Sequence, residues 1–159
     1  MPTDHSTLTD LHRLLGDLVS VNNRLTRVAA RAAGGGTESP AVWRTLSVLI
    51  SSGPMRLGEL AELSRVSQPT ASKLVESLDA RGWILRTVDP TDARASLVDV
   101  TPVGDAALAQ WRNELATAMM PLFADLPAED IVTLQRAVDI VQQRVDTVEK
   151  KPVEPKREV

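Results

Sequence analysis

The order of short elements between Arg56 and Gly104 constrains the fold more than any other part of this sequence. The segment reads RLGELAELSRVSQPTASKLVESLDARGWILRTVDPTDARASLVDVTPVG. A short helical pattern is followed by a turn, a second helical pattern that ends at a glycine, and two β-prone runs separated by a polar loop. This order predicts a helix-turn-helix followed by a two-stranded wing, which can place a helix in the major groove of DNA and a loop in the minor groove.

The second helix of the pair has a cap, a buried stripe and a polar face. Ser67 is a good N-cap because its hydroxyl can accept from a free N–H of the first turn, and Gly82 stands where a left-handed residue ends a helix. Val66, just before the cap, is expected to fill the space between the two helices. The predicted buried positions of the pair recur at helical spacing: Leu57, Leu60, Ala61, Leu63, Ala71, Leu74, Val75 and Leu78.

The exposed face of the second helix carries small polar groups near its N-terminus. Such groups let a helix approach a groove closely and bond to phosphates or base edges, and the free N–H groups of the helix end favour phosphate. Gln68 has the amide that reads adenine, and Lys73 can meet a phosphate or a guanine. For this helix taken alone, the alternative is an ordinary solvated face.

The wing strengthens the interpretation as a DNA-binding segment. The polar stretch from Asp89 to Ala95 is predicted to be the loop between the two strands, because Asp89-Pro90 is a turn signal. Arg94 at the hairpin tip is well placed to enter a narrow minor groove, and Asp92 is expected to pair with its guanidinium and orient it. The alternative is a surface ion pair worth about 0–1 kcal/mol and without function.

On these residues the chain resembles the MarR family of bacterial winged-helix transcription regulators. The resemblance extends from about Leu8 to Val148 and is sharpest in LGELAELSRVSQPTASKLVESLDARGWI and in the wing motif Asp92-x-Arg94. It implies a homodimer that binds pseudo-palindromic operator DNA and represses nearby genes. In many members of the family a small ligand releases the DNA.

The resemblance also implies roles for individual residues. Arg94 is the arginine of the wing tip and Asp92 its orienting partner, whereas Ala93 departs from the second basic residue that many members carry. Arg56 and Arg86, two further cations of the segment, are also expected to contact DNA. The residues placed in or beside the major groove are Ser67, Gln68, Pro69, Thr70, Ser72 and Lys73.

Helical patterns flank the winged segment on both sides, so we predict a mainly α (α+β) fold. We interpret residues 1–148 as one domain in which 38–100 form the winged helix-turn-helix and 8–33 and 101–148 form dimerisation helices. These helices hold more apolar surface than a small winged unit covers, which favours a symmetric dimer. Residues 149–159 are rich in proline and charge and are expected to be a disordered tail.

A small-molecule effector is the other partner that the resemblance implies, bound between the dimer-forming helices and the winged unit. An arginine beside aromatic residues suits a small aromatic carboxylate or phenol. The alternative is that the two tryptophans concerned belong to the core. The candidate ligand-binding residues are His12, Trp43, Arg44 and Trp111.

Composition excludes several other classes of function. The sequence has 159 residues and no cysteine, which excludes a disulfide framework, a thiolate metal site and a cysteine redox sensor. No nucleophile with a base, phosphate-cradling loop or metal-ligand spacing stands out, so we expect no cofactor, no metal and no enzyme activity. No run is long enough to span a bilayer and the first ten residues lack a signal peptide, so we expect no membrane and a cytoplasmic location.

The charge balance opposes the DNA-binding interpretation mildly. The net charge is −3, and the stretch from Arg56 to Val100 holds six cations against seven anions. Binding is still possible where the cations gather on one face, because salt screens distant anions beyond about 10 Å. We therefore expect few phosphate contacts per subunit and binding that weakens steeply with salt. The alternative is a winged-helix module for protein interaction, without a specific DNA site.

Overall fold

The computed structural model describes residues 5–35 and 38–149 of the chain. It is mainly helical with one small antiparallel sheet, which confirms the predicted fold class. In chain order the elements are α1 (His5–Ala32), α2 (Pro40–Ser52), β1 (Met55–Arg56), α3 (Leu57–Leu63), α4 (Gln68–Ala80), β2 (Ile84–Asp89), β3 (Asp92–Val100), α5 (Pro102–Met119), a 3-10 turn (Met120–Leu122) and α6 (Ala128–Glu149). Of the predicted tail, residues 150–159 lie outside the described residues.

Two compact units divide these elements. One holds α1 and the part of α5 from Trp111 onward, and the other holds the elements from α2 to Gln110 together with α6. The interpretation of residues 1–148 as a single domain stays a prediction. None of the helices in the described ranges is both long and apolar enough to cross a membrane.

The core of the second unit holds side chains from α2, α3, α4, the sheet and the first part of α5. Leu46 and Leu49 of α2 and Leu60 of α3 are almost fully buried. Burying each such side chain contributes about 1.5–3 kcal/mol, so the periodic apolar positions hold these short elements together. The remaining core residues of the unit include Val42, Met55, Ala61, Ala71, Val75, Leu78, Ile84, Val98 and Leu108.

The sheet has the strand order β1-β3-β2, with β3 in the centre and both neighbours antiparallel to it. Strand β1 pairs Met55 with Val98 and Arg56 with Leu97. This strand could not be predicted from the sequence, because two residues are too few to show the alternation that marks a half-buried strand.

A close approach between backbones fixes the start of α5. Thr101 caps the helix, since its Oγ1 accepts from the Gly104 N–H at 3.2 Å and donates to the Gly82 carbonyl at 2.6 Å. A Cβ on Gly104 would lie 2.1 Å from the Trp83 carbonyl oxygen, so only glycine fits there. At its other end α5 stops at Met119, and Pro121, whose ring cannot continue a helix, lies in the 3-10 turn that follows.

The predicted burial of the helix pair was wrong at several positions. Leu63 is 47% exposed rather than buried, and Val66 is only half-buried. The buried residue of the turn is Ser64, whose polar groups have partners on α2. A bonded serine can fill this position because burial of a polar group is costly only when it lacks a hydrogen bond. Leu57 of α3 and Leu74 of α4 are likewise half-buried.

Candidate nucleic-acid interface

The turn between α3 and α4 is tied to α2. Arg44 donates from Nη1 to the Ser64 carbonyl oxygen at 3.0 Å, and Thr45 Oγ1 donates to Ser64 Oγ at 3.4 Å. Arg65, the next residue, has a left-handed backbone with φ of 54°. These contacts satisfy a carbonyl at the end of α3 and fix the direction in which the chain enters α4.

The N-terminus of α4 has the cap that the sequence predicts. Ser67 Oγ accepts from the Thr70 N–H at 3.3 Å and lies 2.8 Å from Thr70 Oγ1. Pro69 occupies the first turn, where its missing N–H has no partner to lose. The remaining free N–H groups of this turn point out of the helix end, beside two exposed hydroxyl groups.

The C-terminus of α4 ends as predicted at Gly82. This glycine has φ of 68°, and its N–H donates to the Asp79 carbonyl at 2.8 Å. The Trp83 N–H donates to the Leu78 carbonyl at 2.9 Å, which completes a Schellman motif. The motif turns the chain directly into β2, so only three residues lie between the end of α4 at Ala80 and the start of the wing at Ile84.

Most polar residues of the predicted major-groove face lie exposed on α4. Gln68 is exposed but lies over α3, since its Nε2 is 3.1 Å from the position of a Cβ on Gly58. Lys73 is exposed and takes part in none of the ion pairs between described residues. Ser72 is half-buried and donates to Glu76 Oε1 at 3.3 Å.

The loop of the wing is much shorter than the predicted stretch from Asp89 to Ala95. Only Pro90 and Thr91 lie between the strands, so Asp92 and Arg94 belong to β3. The loop is short because Asp89 Oδ1 accepts from both the N–H and the Oγ1 of Thr91, at 2.8 and 2.7 Å, and closes the turn.

Arg94 lies in the middle of a bulge. The register passes from Val88 opposite Ser96 to Asp89 opposite Asp92, which leaves residues 93–95 of β3 without partners on β2. Asp92 Oδ1 accepts from the Arg94 backbone N–H at 3.0 Å. The expected pairing of Asp92 with the Arg94 guanidinium is therefore wrong: Asp92 fixes the backbone, and none of the ion pairs between described residues involves Arg94.

Arg56, one of the predicted DNA contacts, is bound within the wing. Its Nε and Nη2 lie 2.8 and 2.7 Å from Asp89 Oδ2, and its Nη2 lies 3.9 Å from Asp92 Oδ2. The Asp89 side chain is only 7% exposed. Hydrogen bonds from the side chain and backbone of Thr91, followed by that from Arg56, lower the pKa of Asp89 from 3.8 to about 2. The bond to Asp89 in turn raises the pKa of Arg56.

Arg86, the other added cation, is also paired. Its Nε lies 3.6 Å from Asp79 Oδ2, and both side chains are about half exposed. An exposed pair of this kind contributes little and can exchange its partner for a phosphate. Arg86 therefore keeps its cationic group available at the junction of α4 and the wing.

The four candidate effector residues are distributed between the two units. His12 and Trp111 belong to the first unit, and Trp43 and Arg44 to the second. Within the second unit Trp43 is half-buried and stacks on Trp83, with ring centroids 5.8 Å apart. This packing matches the alternative in which Trp43 serves the core, and the effector site stays a prediction.

Sequence reasoning missed the residues that support this stacked pair. Arg81 lies over the Trp83 ring, 5.2 Å from its centroid, and forms an ion pair with Glu38. The only local signal was the proximity of Arg81 and Trp83 across the end of α4, because Glu38 is 43 residues away from Arg81.

Comparisons with known proteins agree with this architecture. Residues 39–95 match the model of the MarR family. An uncharacterized HTH-type transcriptional regulator of Mycobacterium bovis is 28% identical over 134 residues, which are 84% of this chain and 94% of the relative.

Two solved structures share the fold. A transcriptional regulator of Thermotoga maritima superposes with a TM-score of 0.64 at 22% identity, over 91% of this chain and 99% of the other. Wild-type MarR of Escherichia coli in its apo form superposes with a TM-score of 0.60 at 23% identity, over 80% of this chain and 96% of the other.

Proposed function

We propose that this chain, whose residues 39–95 match the model of the MarR family, is a DNA-binding transcriptional regulator and not an enzyme, and that it acts as a homodimeric repressor of a pseudo-palindromic operator. The observation that carries the proposal is a capped polar helix followed at once by a wing whose exposed Arg94 is fixed at its backbone. A helix of this kind enters a major groove, and a wing arginine enters the adjacent minor groove.

In this proposal α4 is the recognition helix and reads the operator from its N-terminal half. Gln68 and Lys73 contact base edges, and Arg94 enters the minor groove. Arg86 contacts the phosphate backbone beside the wing. The remaining contacts from the first turns of α4 come from Ser67, Pro69, Thr70 and Ser72.

The homodimer is supported by apolar faces that the single chain leaves exposed. Leu11, Leu14 and Leu15 of α1 are each at least 47% exposed. In the other unit, α6 exposes a second series at helical spacing: Ile131, Leu134, Val138, Val141 and Val145. Faces of this size are rare on monomers, and a twofold dimer would present two copies of α4 about one DNA turn apart.

Release by a small aromatic or phenolic ligand is a further part of the proposal. The residues proposed for it are His12, Trp43, Arg44 and Trp111. Since Arg44 Nη1 bonds to the Ser64 carbonyl in the helix-turn-helix, a ligand that drew this guanidinium away would loosen the entry to α4. A ligand with different affinities for the two arrangements shifts the DNA-binding equilibrium.

Selection of genomic fragments by the purified protein tests the proposal, with Arg94→Ala in parallel at one controlled salt concentration. We expect enrichment of one inverted repeat by the wild type and its loss in the variant. Weak retention of all sequences, equal in both proteins, would refute the repressor and favour a winged-helix module for protein interaction. The acidic net charge of −3 supports that second candidate.

A further inference from the structure

We propose that Asp89 is a positioning residue for DNA binding, and that Arg56 holds the Asp89 carboxylate in place rather than contacting a phosphate. This role rests on the proposed function, because it matters only if the wing contacts DNA. It assigns a function to a carboxylate that the sequence identified only as part of a turn.

The Asp89 carboxylate joins three parts of the wing with its two oxygens. Oδ2 accepts from the Arg56 guanidinium on β1, while Oδ1 accepts twice from Thr91 in the turn. Since the strand order is β1-β3-β2, the bond from Arg56 to Asp89 links the two outer strands across β3. Near its tip the hairpin is therefore held by side chains where its backbone register is interrupted.

The positive charge of Arg56 is offset by two neighbouring carboxylates, which weakens its attraction for a phosphate. Its Nε and Nη2 are both bonded to one nearly buried carboxylate, and a second carboxylate, that of Asp92, lies 3.9 Å away. A phosphate that drew Nε and Nη2 away would leave the Asp89 charge buried and without its cation, which is costly.

The same network fixes the place of Arg94. Asp89 is paired in register with Asp92, and Asp92 accepts from the Arg94 N–H inside the bulge of residues 93–95. If Asp89 lost its partners, the bulge would sample several arrangements, and binding would have to order Arg94 again. Ordering a segment on binding lowers affinity without removing any contact to the ligand.

Asparagine at position 89 tests the role of the carboxylate. An amide has one oxygen, so it cannot accept from Arg56 and from both donors of Thr91 at once. Asp99→Asn is the matched control, since it makes the same charge change on the same hairpin, and the Asp99 Oδ1 that accepts from the Val100 N–H is kept.

Fluorescence anisotropy with the full-length protein measures the effect on two duplexes, the enriched inverted repeat and a random duplex of equal length. We expect Asp89→Asn to weaken binding to the repeat about tenfold, and Asp99→Asn to stay within about twofold of wild type. In an Arg94→Ala background Asp89→Asn should add less than about twofold, because both changes remove one coupled interaction.

The salt dependence of DNA affinity shows whether Arg56 holds Asp89 in place or contacts a phosphate. Arg94→Ala should reduce the slope of log affinity against log salt by about one per lost contact. The double variant Arg56→Gln with Asp89→Asn leaves the charge of the pair unchanged and should keep the wild-type slope. A reduction of the slope like that of Arg94→Ala would show that Arg56 contacts phosphate and would overturn its role in holding Asp89.

Substitutions at Thr91 test the same role if Asp89→Asn fails to fold. Thr91→Val removes only the hydroxyl that donates to Asp89 and should weaken binding to the repeat, whereas Thr91→Ser should restore it. Wild-type affinity in Thr91→Val and in any folded Asp89→Asn would overturn this role alone. Equal binding of both duplexes by the wild type would overturn the proposed function and this role with it.

Discussion

At the scale of single residues, Gly104 lies closer to a neighbouring backbone than any other glycine in the described part of the chain. An ideal Cβ on Gly104 would lie 2.1 Å from the Trp83 oxygen and 2.9 Å from the Trp83 carbonyl carbon. Both are backbone atoms, so relief requires α5 to move away from the residue that leads into β2. Gly16 offers the contrast, because nothing lies within 4 Å of its Cβ position in α1.

We expect Gly104→Ala to lower the free energy of unfolding by about 1–3 kcal/mol, as overpacking does elsewhere. Gly16→Ala should instead raise it by about 0.5–1 kcal/mol, because alanine is the better helix former. Urea denaturation at a fixed protein concentration measures both. A neutral Gly104→Ala would contradict the close approach at the start of α5.

Ionisation of Asp89 makes the stability of the folded protein depend on pH in the acid range. Its pKa is about 2 in the folded protein and 3.8 ordinarily, so the folded state favours the charged form. Its contribution to stability is complete above about pH 4 and is lost as the pH falls through about 2. The stability difference between wild type and Asp89→Asn should therefore be constant above pH 4 and shrink below it. A carboxyl titration midpoint at or above 3.8 would contradict the network.

Among single residues, only those with local causes could be predicted from sequence. The cap at Ser67 depends on a residue three positions away, and the end at Gly82 depends on one backbone angle. The partner of Asp89 is 33 residues distant, at Arg56, and no periodicity reveals such a pair. Asp92 was correctly predicted to bond with Arg94, but its Oδ1 accepts from the Arg94 backbone N–H and not from the guanidinium.

At the scale of elements, the sequence predicted the helices well and the sheet poorly. Helix α4 begins and ends where its predicted cap and glycine place it, and α1 (His5–Ala32) agrees with the predicted range 8–33 to within a few residues. Strand β1 has only two residues, and the turn of the wing is set by side-chain bonds to Asp89 that shift the register. Neither feature leaves a repeating pattern in the sequence.

The cap of α4 serves both stability and DNA binding, and one pair of substitutions separates the two. Ser67→Ala should lower stability by about 1 kcal/mol, because it removes the acceptor of the Thr70 N–H. Ser67→Asp should keep stability near wild type, since aspartate is an equally good cap. Its negative charge beside a phosphate should nevertheless reduce operator affinity severely.

Thermal unfolding without DNA and anisotropy with the selected repeat measure these two effects separately. If Ser67→Asp kept full affinity for the repeat, the N-terminus of α4 would not lie near the phosphate backbone. The proposed placement of this helix in the major groove would then be wrong.

At the scale of the whole molecule, DNA binding depends on how two weak half-sites are combined. The segment from Arg56 to Val100 has one more anion than cations. Three of its cations, Arg56, Arg81 and Arg86, are already paired with carboxylates. One winged unit therefore offers few free charges to DNA. Linking two units raises the effective concentration of the second and can multiply affinity by about 10²–10⁴.

Leu14→Glu tests this dependence, because Leu14 lies in the apolar stripe of α1 and is 62% exposed. A charge there should split the proposed dimer and weaken binding to the repeat about a hundredfold or more, while the winged unit stays folded. Asn23→Glu is the control, since it makes the same charge change at an exposed position on the opposite side of α1. Analytical ultracentrifugation gives the oligomeric state, and anisotropy gives the affinity.

The two measurements together decide what the apolar stripe does. A Leu14→Glu monomer with wild-type affinity would show that one winged unit suffices and that the few free charges of Arg94 and Lys73 are enough for operator binding. A Leu14→Glu dimer with wild-type affinity would show that α1 does not form the interface. The exposed face of α6 would then be the next candidate, because its Val138 is 57% exposed.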